Sequence, residues 1–437
     1  MIKFKIYRYF PIFIFLIIFR LLITLSHDPI YDMYDSPRYF EFQLIDAFRL
    51  PVITGIYAFI EDHRSIVIFQ SILSSISWIF LFIAFGNFLK KSISRNTLLV
   101  FIIFFSYTQI AIFRDSYLTS ESINLSLILI LISIFFIDGN YKYKYMFIST
   151  VLMLFAGIKN QNAFLTIPIL LYFFMKNSVN KSICKKIKVL NAMVISLSLL
   201  TSSYFIQLSL SDSTISTLNT AAHINFRFWS DDDWKDQLLK SGYPPELRTI
   251  WRDFYSYNRG LPPSEAVIQE AKFKSWWDDS GGDNFLISFT LSNVDYLILG
   301  PLFLPMLNEK LNFAHTLTYG MAQDPNYFSK INNLPNPLEV YWLDDRDNSY
   351  LSVSLIFLIM GTSLLYLSKK SDYLLLISKL IGIVIFIGIW SLLSWYVASK
   401  LGIDILRNSE PLAIIIRLVT VYLLILILDI SKFKRFI

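Results

Sequence analysis

A chain of 437 residues that is 54% hydrophobic, only 16% charged and carries 39 phenylalanines cannot hide its apolar surface in one water-soluble core. This excludes an ordinary soluble domain and predicts a polytopic membrane protein. The net charge of +6 does not point to nucleic acid, because the lysines sit in short connectors between apolar runs, as cytoplasmic loops do. The single cysteine, Cys184, excludes a disulfide within the chain. The four histidines, His27, His63, His223 and His315, lack metal-ligand spacing.

Taken in order, Lys3, Lys5 and Arg8 precede an apolar run that ends near Ser26. No small-residue cleavage site follows, and Arg20 interrupts the run, so it reads as a retained first helix with a cytoplasmic N-terminus. Apolar runs at 66–88, 97–113, 118–137, 146–158, 163–175, 189–208, 351–368, 373–396 and 411–430 follow. Together they predict about ten transmembrane helices in an all-α, multi-pass protein of the cytoplasmic membrane, with both termini inside. The basic connectors support this topology: Lys90-Lys91, Lys142 with Lys144, Lys181 to Lys188, Lys369-Lys370 and Lys432 to Arg435 all fall on one side. Acidic residues gather on the other, outer side.

Three regions result: a membrane module over 1–208 with a charged outer loop at 27–65, a large outer region over 209–350, and C-terminal membrane helices over 351–437. The outer region is polar and aromatic, with Trp229, Trp234, Trp251, Trp276 and Trp277, and is broken by Pro244-Pro245 and Pro262-Pro263. Ser264-Glu265 reads as a helix start and Ser280-Gly281-Gly282 as its stop, which predicts a mainly helical cap. Asp278-Asp279 and Asp283 depart from the spacing of a calcium loop and read as helix capping.

Four constellations carry candidate chemistry, all at outer helix ends. Asp32 and Asp35 lie in YDMYDSPRY, with Arg38, Tyr39 and Arg49 beside them; Asp35 before Ser36-Pro37 also fits a plain N-cap with proline at the first helical position. Arg114, Asp115 and Glu121 occupy the short turn between the third and fourth spans. An acid entering an apolar span needs a partner or a wet cavity, although Ser120 as N-cap with Glu121 in the first turn is the ordinary alternative. Lys159, in the polar interruption Gly157 to Asn162, is a base on the acidic side; it either snorkels or faces an anion such as a phosphate. Arg407, Glu410 and Arg417 lead into the last span, where Glu410 and Arg417 share a helix face. Arg417 lies below the surface and needs a carboxylate, a cavity or a lipid phosphate.

The order of these features resembles the GT-C superfamily of integral-membrane glycosyltransferases, in particular the branch of protein mannosyltransferases and aminoarabinose transferases. Asp35, Tyr39, Arg49, Pro51 and Tyr57 match the first outer loop of those chains. Ser120-Glu121-Ser122 is similar to their entry into the fourth span, and Ala271 to Leu297, a helical run followed by Ser-Asn-Val-Asp-Tyr-Leu, to their hydrophobic helix followed by an NP-x-Y-L segment. The stretch from Arg407 to Pro411 is similar to an Arg-Tyr-x-x-Pro motif, with Asn408 in the tyrosine position. The resemblance implies a sugar donor linked to polyprenyl phosphate and a glycan, lipid or protein acceptor. It also implies membrane lipids around the helices and no nucleic-acid partner. By the same resemblance Asp35, with Asp32 nearby, accepts the proton of an acceptor hydroxyl, and Lys159, Arg407, Arg417 or Arg49 stabilises the departing phosphate. Glu121 or Asp115 orients the acceptor or helps hold a divalent cation, magnesium or manganese, if this branch uses one.

Two other classes compete. An O-antigen or capsule polymerase or ligase would use Arg227, Arg248, Arg252 and Arg259 of the large loop to hold an anionic glycan. A transporter would use Arg114, Glu121 and Arg417 as a coupling network at the midplane.

Overall fold

The structure, a computed structural model, describes residues 6–26, 28–29, 40, 42, 50–107, 109–136, 144–179, 184–210, 232–245, 275–279, 285, 288–289, 291–292, 349–369, 373–399 and 405–430. Among these, regular structure is helical throughout and no strand occurs. A 3₁₀ turn at Ile6–Tyr9 leads into α1 (Phe10–Leu25). Then come α2 (Pro51–Ile60), α3 (His63–Gly86), α4 (Ser92–Ser106), α5 (Gln109–Ser116), α6 (Glu121–Phe136), α7 (Lys144–Ala156), α8 (Asn160–Val179) and α9 (Lys185–Leu210). After α10 (Asp232–Lys240) follow α11 (Ser349–Ser368), α12 (Leu374–Ser399) and α13 (Ile405–Ile430). Among the described residues, three helical stretches are long and apolar enough to cross a membrane: Tyr7–Leu25, His63–Gly86 and Lys185–Gln207.

Two compact units divide the chain. The first comprises Met1–Ser209, Asn312–Trp390 and Pro411–Ile437, and the second comprises Leu210–Leu311 and Ser391–Glu410. Within the first unit α3 is central, packing against α1, α2, α4, α5 and α6. Its sequence explains this. Gln70, Ser71, Ser74, Ser75 and Ser77 are all buried, and small side chains at helical spacing let neighbouring backbones approach closely where no water drives association. Ser71 donates to Thr24 Oγ1 at 3.0 Å, tying α3 to α1.

Asp62 caps α3 by accepting from the Ser65 backbone N–H at 2.8 Å. Just before it, Glu61 has φ +58°, and Asp62 N–H donates to Ile60 O at 2.7 Å. This is a γ-turn of the rare positive-φ kind, and it lets α2 fold back onto α3. Gly157 permits a second close approach. A Cβ there would lie 2.2 Å from Val52 Cγ2 and 2.9 Å from Phe205 Cε2, so only glycine fits where α7, α2 and α9 meet.

One boundary differs from the sequence expectation. The apolar run at 97–113, predicted as one span, is two helices, α4 ending at Ser106 and α5 starting at Gln109. Arg20 reaches this interruption from α1, its Nη1 donating to the Ser106 carbonyl. A guanidinium at the end of α4 satisfies an orphan carbonyl and opposes the negative end of the helix dipole.

The second unit is aromatic in its described part. Gly242, at φ +92°, ends α10, and Tyr243 N–H donates to Leu238 O at 3.1 Å, a left-handed C-terminal cap. Tyr243 then meets Trp276 edge-on at 5.0 Å, and Trp276 meets Phe285 at 5.4 Å. Residues 275–279 are helical, within the helix predicted from Ser264 to Trp277 and its Ser280 stop. The rest of that prediction, and Arg227, Arg248, Arg252 and Arg259, lie outside the described residues.

Candidate functional site

The turn from Asp115 to Asn124, joining α5 to α6, is held from four sides. From α1, Arg20 Nε donates to Asp115 Oδ2 at 2.5 Å, and from α6 Ser122 donates to Asp115 Oδ1 at 2.5 Å. Both members of the ion pair are 1% exposed. From α2, the Tyr57 hydroxyl donates to the Thr119 carbonyl at 2.7 Å. Gln70 of α3 donates to the Tyr57 oxygen and, at 3.3 Å, to the same Thr119 carbonyl. The fourth hold comes from the start of α8, where Lys159 Nζ donates to Glu121 Oε1 at 2.9 Å.

Glu121 and Lys159 were singled out separately in the sequence, and the structure joins them. Their side chains are 7% and 13% exposed. Ser120 does sit at the N-cap of α6, its carbonyl accepting from Asn124 N–H at 2.9 Å, with Glu121 in the first helical turn. The N-cap position of Ser120 and the ion pair of Glu121 therefore coexist. A carboxylate at this end is favoured by the helix dipole, and burial strengthens its attraction to the ammonium.

One turn deeper lies a second contact between the same helices. Asn162 Nδ2 donates to Asn124 Oδ1 at 2.8 Å and to the Phe155 carbonyl at 2.8 Å. Its Oδ1 accepts from Trp390 Nε1 of α12 at 2.7 Å. Asn162 and Trp390 are fully buried.

The remaining sequence candidates are distributed as follows. Arg114 is buried at 6% exposure beside Asp115, and Arg417 is buried in α13 at 2%. Asp32, Asp35, Arg38, Tyr39 and Arg49 lie outside the described residues, as do the side chains of Arg407 and Glu410 within α13. Phe40, a described residue of the first outer loop, packs on α2 and the start of α3: its ring lies 5.5 Å from Tyr57 and 4.9 Å from His63. At the loop's far end the carboxyl of Asp62, outside the spans, is held below its ordinary value because the Ser65 hydroxyl and backbone N–H donate to it.

Arg20, Asn162 and Trp390 were not among the sequence candidates. Arg20 left one signal, a cation inside an apolar run, which demands an internal partner. Asn162 stood at the edge of the polar interruption, but tryptophan in an apolar helix reads as packing alone.

Among the described residues no three of His, Cys, Asp and Glu converge as a metal site. Both Asp115 oxygens accept from Arg20 and Ser122, and Glu121 Oε1 accepts from Lys159. As it stands, Asp115 has both oxygens on protein donors and does not offer a ready cation site. No protein-family model matches the chain, and neither the curated proteins nor the solved structures contain a match.

Proposed function

We propose that the chain is a multi-pass membrane glycosyltransferase of the GT-C type, with about ten spans, cytoplasmic termini and an outward-facing site. The observation that carries this reading is the buried Glu121–Lys159 pair at adjoining helix ends. It is a cation held ready in a poorly hydrated place, where a developing phosphate charge is stabilised most strongly. The buried Tyr57–Thr119 bond supports it further, since it links α2, the helix within the first outer loop, to the same turn.

In this reading Asp35 takes the proton of the acceptor hydroxyl while that oxygen bonds to the anomeric carbon. The bond from that carbon to the phosphate oxygen breaks, and the polyprenyl phosphate leaves with the electron pair. One displacement inverts the anomeric configuration. Lys159 faces the charge gathering on the leaving phosphate, and Glu121 holds its ammonium in place.

The test is the intact mass of surface glycans and glycolipids in wild type, a deletion strain and an Asp35→Asn strain with normal protein level in the membrane. Loss of the same whole-sugar mass in both altered strains supports the assignment. Loss in the deletion alone keeps the enzyme class and removes Asp35 as base. The interruption between α4 and α5, with its buried Arg20–Asp115 pair, favours a transporter as second reading, because broken helices and internal charges mark transport paths. Unchanged glycans with altered uptake or export would select it.

A further inference from the structure

The Glu121–Lys159 pair is one rung of a two-rung ladder. Glu121 and Asn124 are three residues apart on α6, and so are Lys159, which immediately precedes α8, and Asn162 in its first turn. Residues at that spacing stack on one helix face, so the ion pair and the amide pair lie one above the other. Asn162 also belongs to Lys159's own turn, its backbone N–H donating to the Lys159 carbonyl at 3.0 Å.

The amide of Asn162 has one possible orientation. Indole Nε1–H is a donor only, so the Asn162 oxygen must face Trp390, and the NH₂ must face the Asn124 and Phe155 oxygens. Both amide hydrogens and the oxygen are engaged. A fully buried amide fixed by three elements cannot rotate without orphaning a polar group, which costs far more than a surface contact.

We propose that Asn162 is the positioning residue of the candidate site: it sets the register of α8 on α6 that brings Lys159 to Glu121, and through Trp390 it makes α12 part of that setting. This rests on reading the ion pair as part of the site, and not on which sugar is moved.

The experiment uses the full chain in detergent and trinitrobenzenesulfonate as the probe, with the labelling rate of Lys159 read by peptide mass against exposed Lys185. Asn162→Ser raises the Lys159 rate relative to Lys185 by at least roughly threefold to tenfold, the weight of a single net hydrogen bond, since three are lost. Trp390→Phe, which removes only the indole donor, moves it in the same direction by less. Glu121→Gln also raises it, and adding Asn162→Ser to Glu121→Gln raises it no further, because both act through one pair.

A Lys159 rate unchanged in both Asn162→Ser and Trp390→Phe overturns the proposal. So does an equal factor with and without Glu121→Gln, which marks general loosening, or a lost thermal transition with every lysine labelled, which marks a purely structural hub. Glycan masses play no part in this readout. Failure of the glycosyltransferase reading and failure of the positioning role therefore give different results.

Discussion

Arg20 and Asp115 lie 95 positions apart in the chain, and the guanidinium Nε meets the carboxylate at 2.5 Å with both side chains 1% exposed. The pair joins α1 to α5, and a second nitrogen of the same guanidinium ends α4 at Ser106. One arginine thus fastens both sides of the interruption between α4 and α5.

Removing either partner should be costly and removing both should not. Arg20→Met or Asp115→Leu alone abandons a buried charge and lowers stability by about 3–5 kcal/mol. The paired replacement Arg20→Met with Asp115→Leu recovers most of that loss, since an apolar pair needs no desolvation. Thermal unfolding of the purified protein in detergent measures all three. A double variant as unstable as the singles would show that the Ser106 and Ser122 bonds, rather than charge balance, carry the effect.

Gly157 should accept no side chain unless its neighbour shrinks. The Cβ of Gly157→Ala would meet Val52 Cγ2 at 2.2 Å and Val52 Cβ at 2.7 Å, and overpacking of this kind costs about 1–3 kcal/mol. Val52→Ala in the same chain removes the nearer atom and recovers part of the loss. Equal melting temperatures for Gly157→Ala and wild type would refute the close approach of α2 to the end of α7.

How much of this was legible in the sequence depends on the interaction. Glu121 and Lys159 stood out because a charge entering an apolar run must find company. That they find each other is a tertiary fact, since 38 residues separate them and no local spacing reports it. Arg20 was visible as an interruption, yet its partner lay in a turn that had its own sufficient explanation as a helix cap. The bond from Trp390 to Asn162 spans 228 residues, and an indole in an apolar helix gives no sign of where its N–H points. The break between α4 and α5 was hidden by composition: Ser106, Tyr107 and Thr108 are no stronger a stop than other polar residues inside the spans. Gly157 could be read only as part of a polar turn, because the need for glycine comes from Val52 and Phe205 on other helices.

At the opposite end of the first unit, Asp429 should prove to be a latch. Its two carboxylate oxygens accept the backbone N–H groups of Lys90 and Lys91, each at 2.8 Å. Lys91 is the N-cap of α4 and offers no side-chain cap of its own, so an anion from α13 fills the helix N-terminus. Hydrogen bonds to a charged group are worth about 1.5–3 kcal/mol each. Asp429→Leu therefore lowers the melting temperature and exposes the C-terminal helix to limited proteolysis, and Asp429→Asn, which keeps one acceptor, does so less. Unchanged proteolysis in Asp429→Leu would mean that the Tyr422 bond to the Phe85 carbonyl suffices to hold α13.

Stability should fall in acid partly through Asp62. Its carboxyl is held below the ordinary 3.8 by the Ser65 hydroxyl and backbone N–H. A lowered folded-state pKa stabilises the fold above the unfolded value and stops doing so as pH falls through the folded value. The window accordingly lies below about pH 3.8. Asp62→Asn keeps an acceptor for Ser65 but has no charge to lose. Melting temperatures of wild type and Asp62→Asn should differ at neutral pH and converge below that window. A constant difference across the range would remove Asp62 from the acid response.

Lys159 should matter to rate more than to fold. If it meets the leaving phosphate, its help grows as charge develops, and losing such a donor costs on the order of 10²–10³ in turnover. Lys159→Met should then slow sugar transfer on that order while the protein level in the membrane stays normal. Glu121→Gln removes the neighbouring negative charge but leaves the ammonium, so its loss should be smaller. The rates are read as the reappearance of the missing sugar mass in the deletion strain, complemented with each variant at equal membrane level. A Lys159→Met strain that restores the sugar at the wild-type rate would leave the Glu121–Lys159 pair as a clamp between α6 and α8. The search for the phosphate-binding cation would then pass to Arg114 and Arg417, both buried in the same unit.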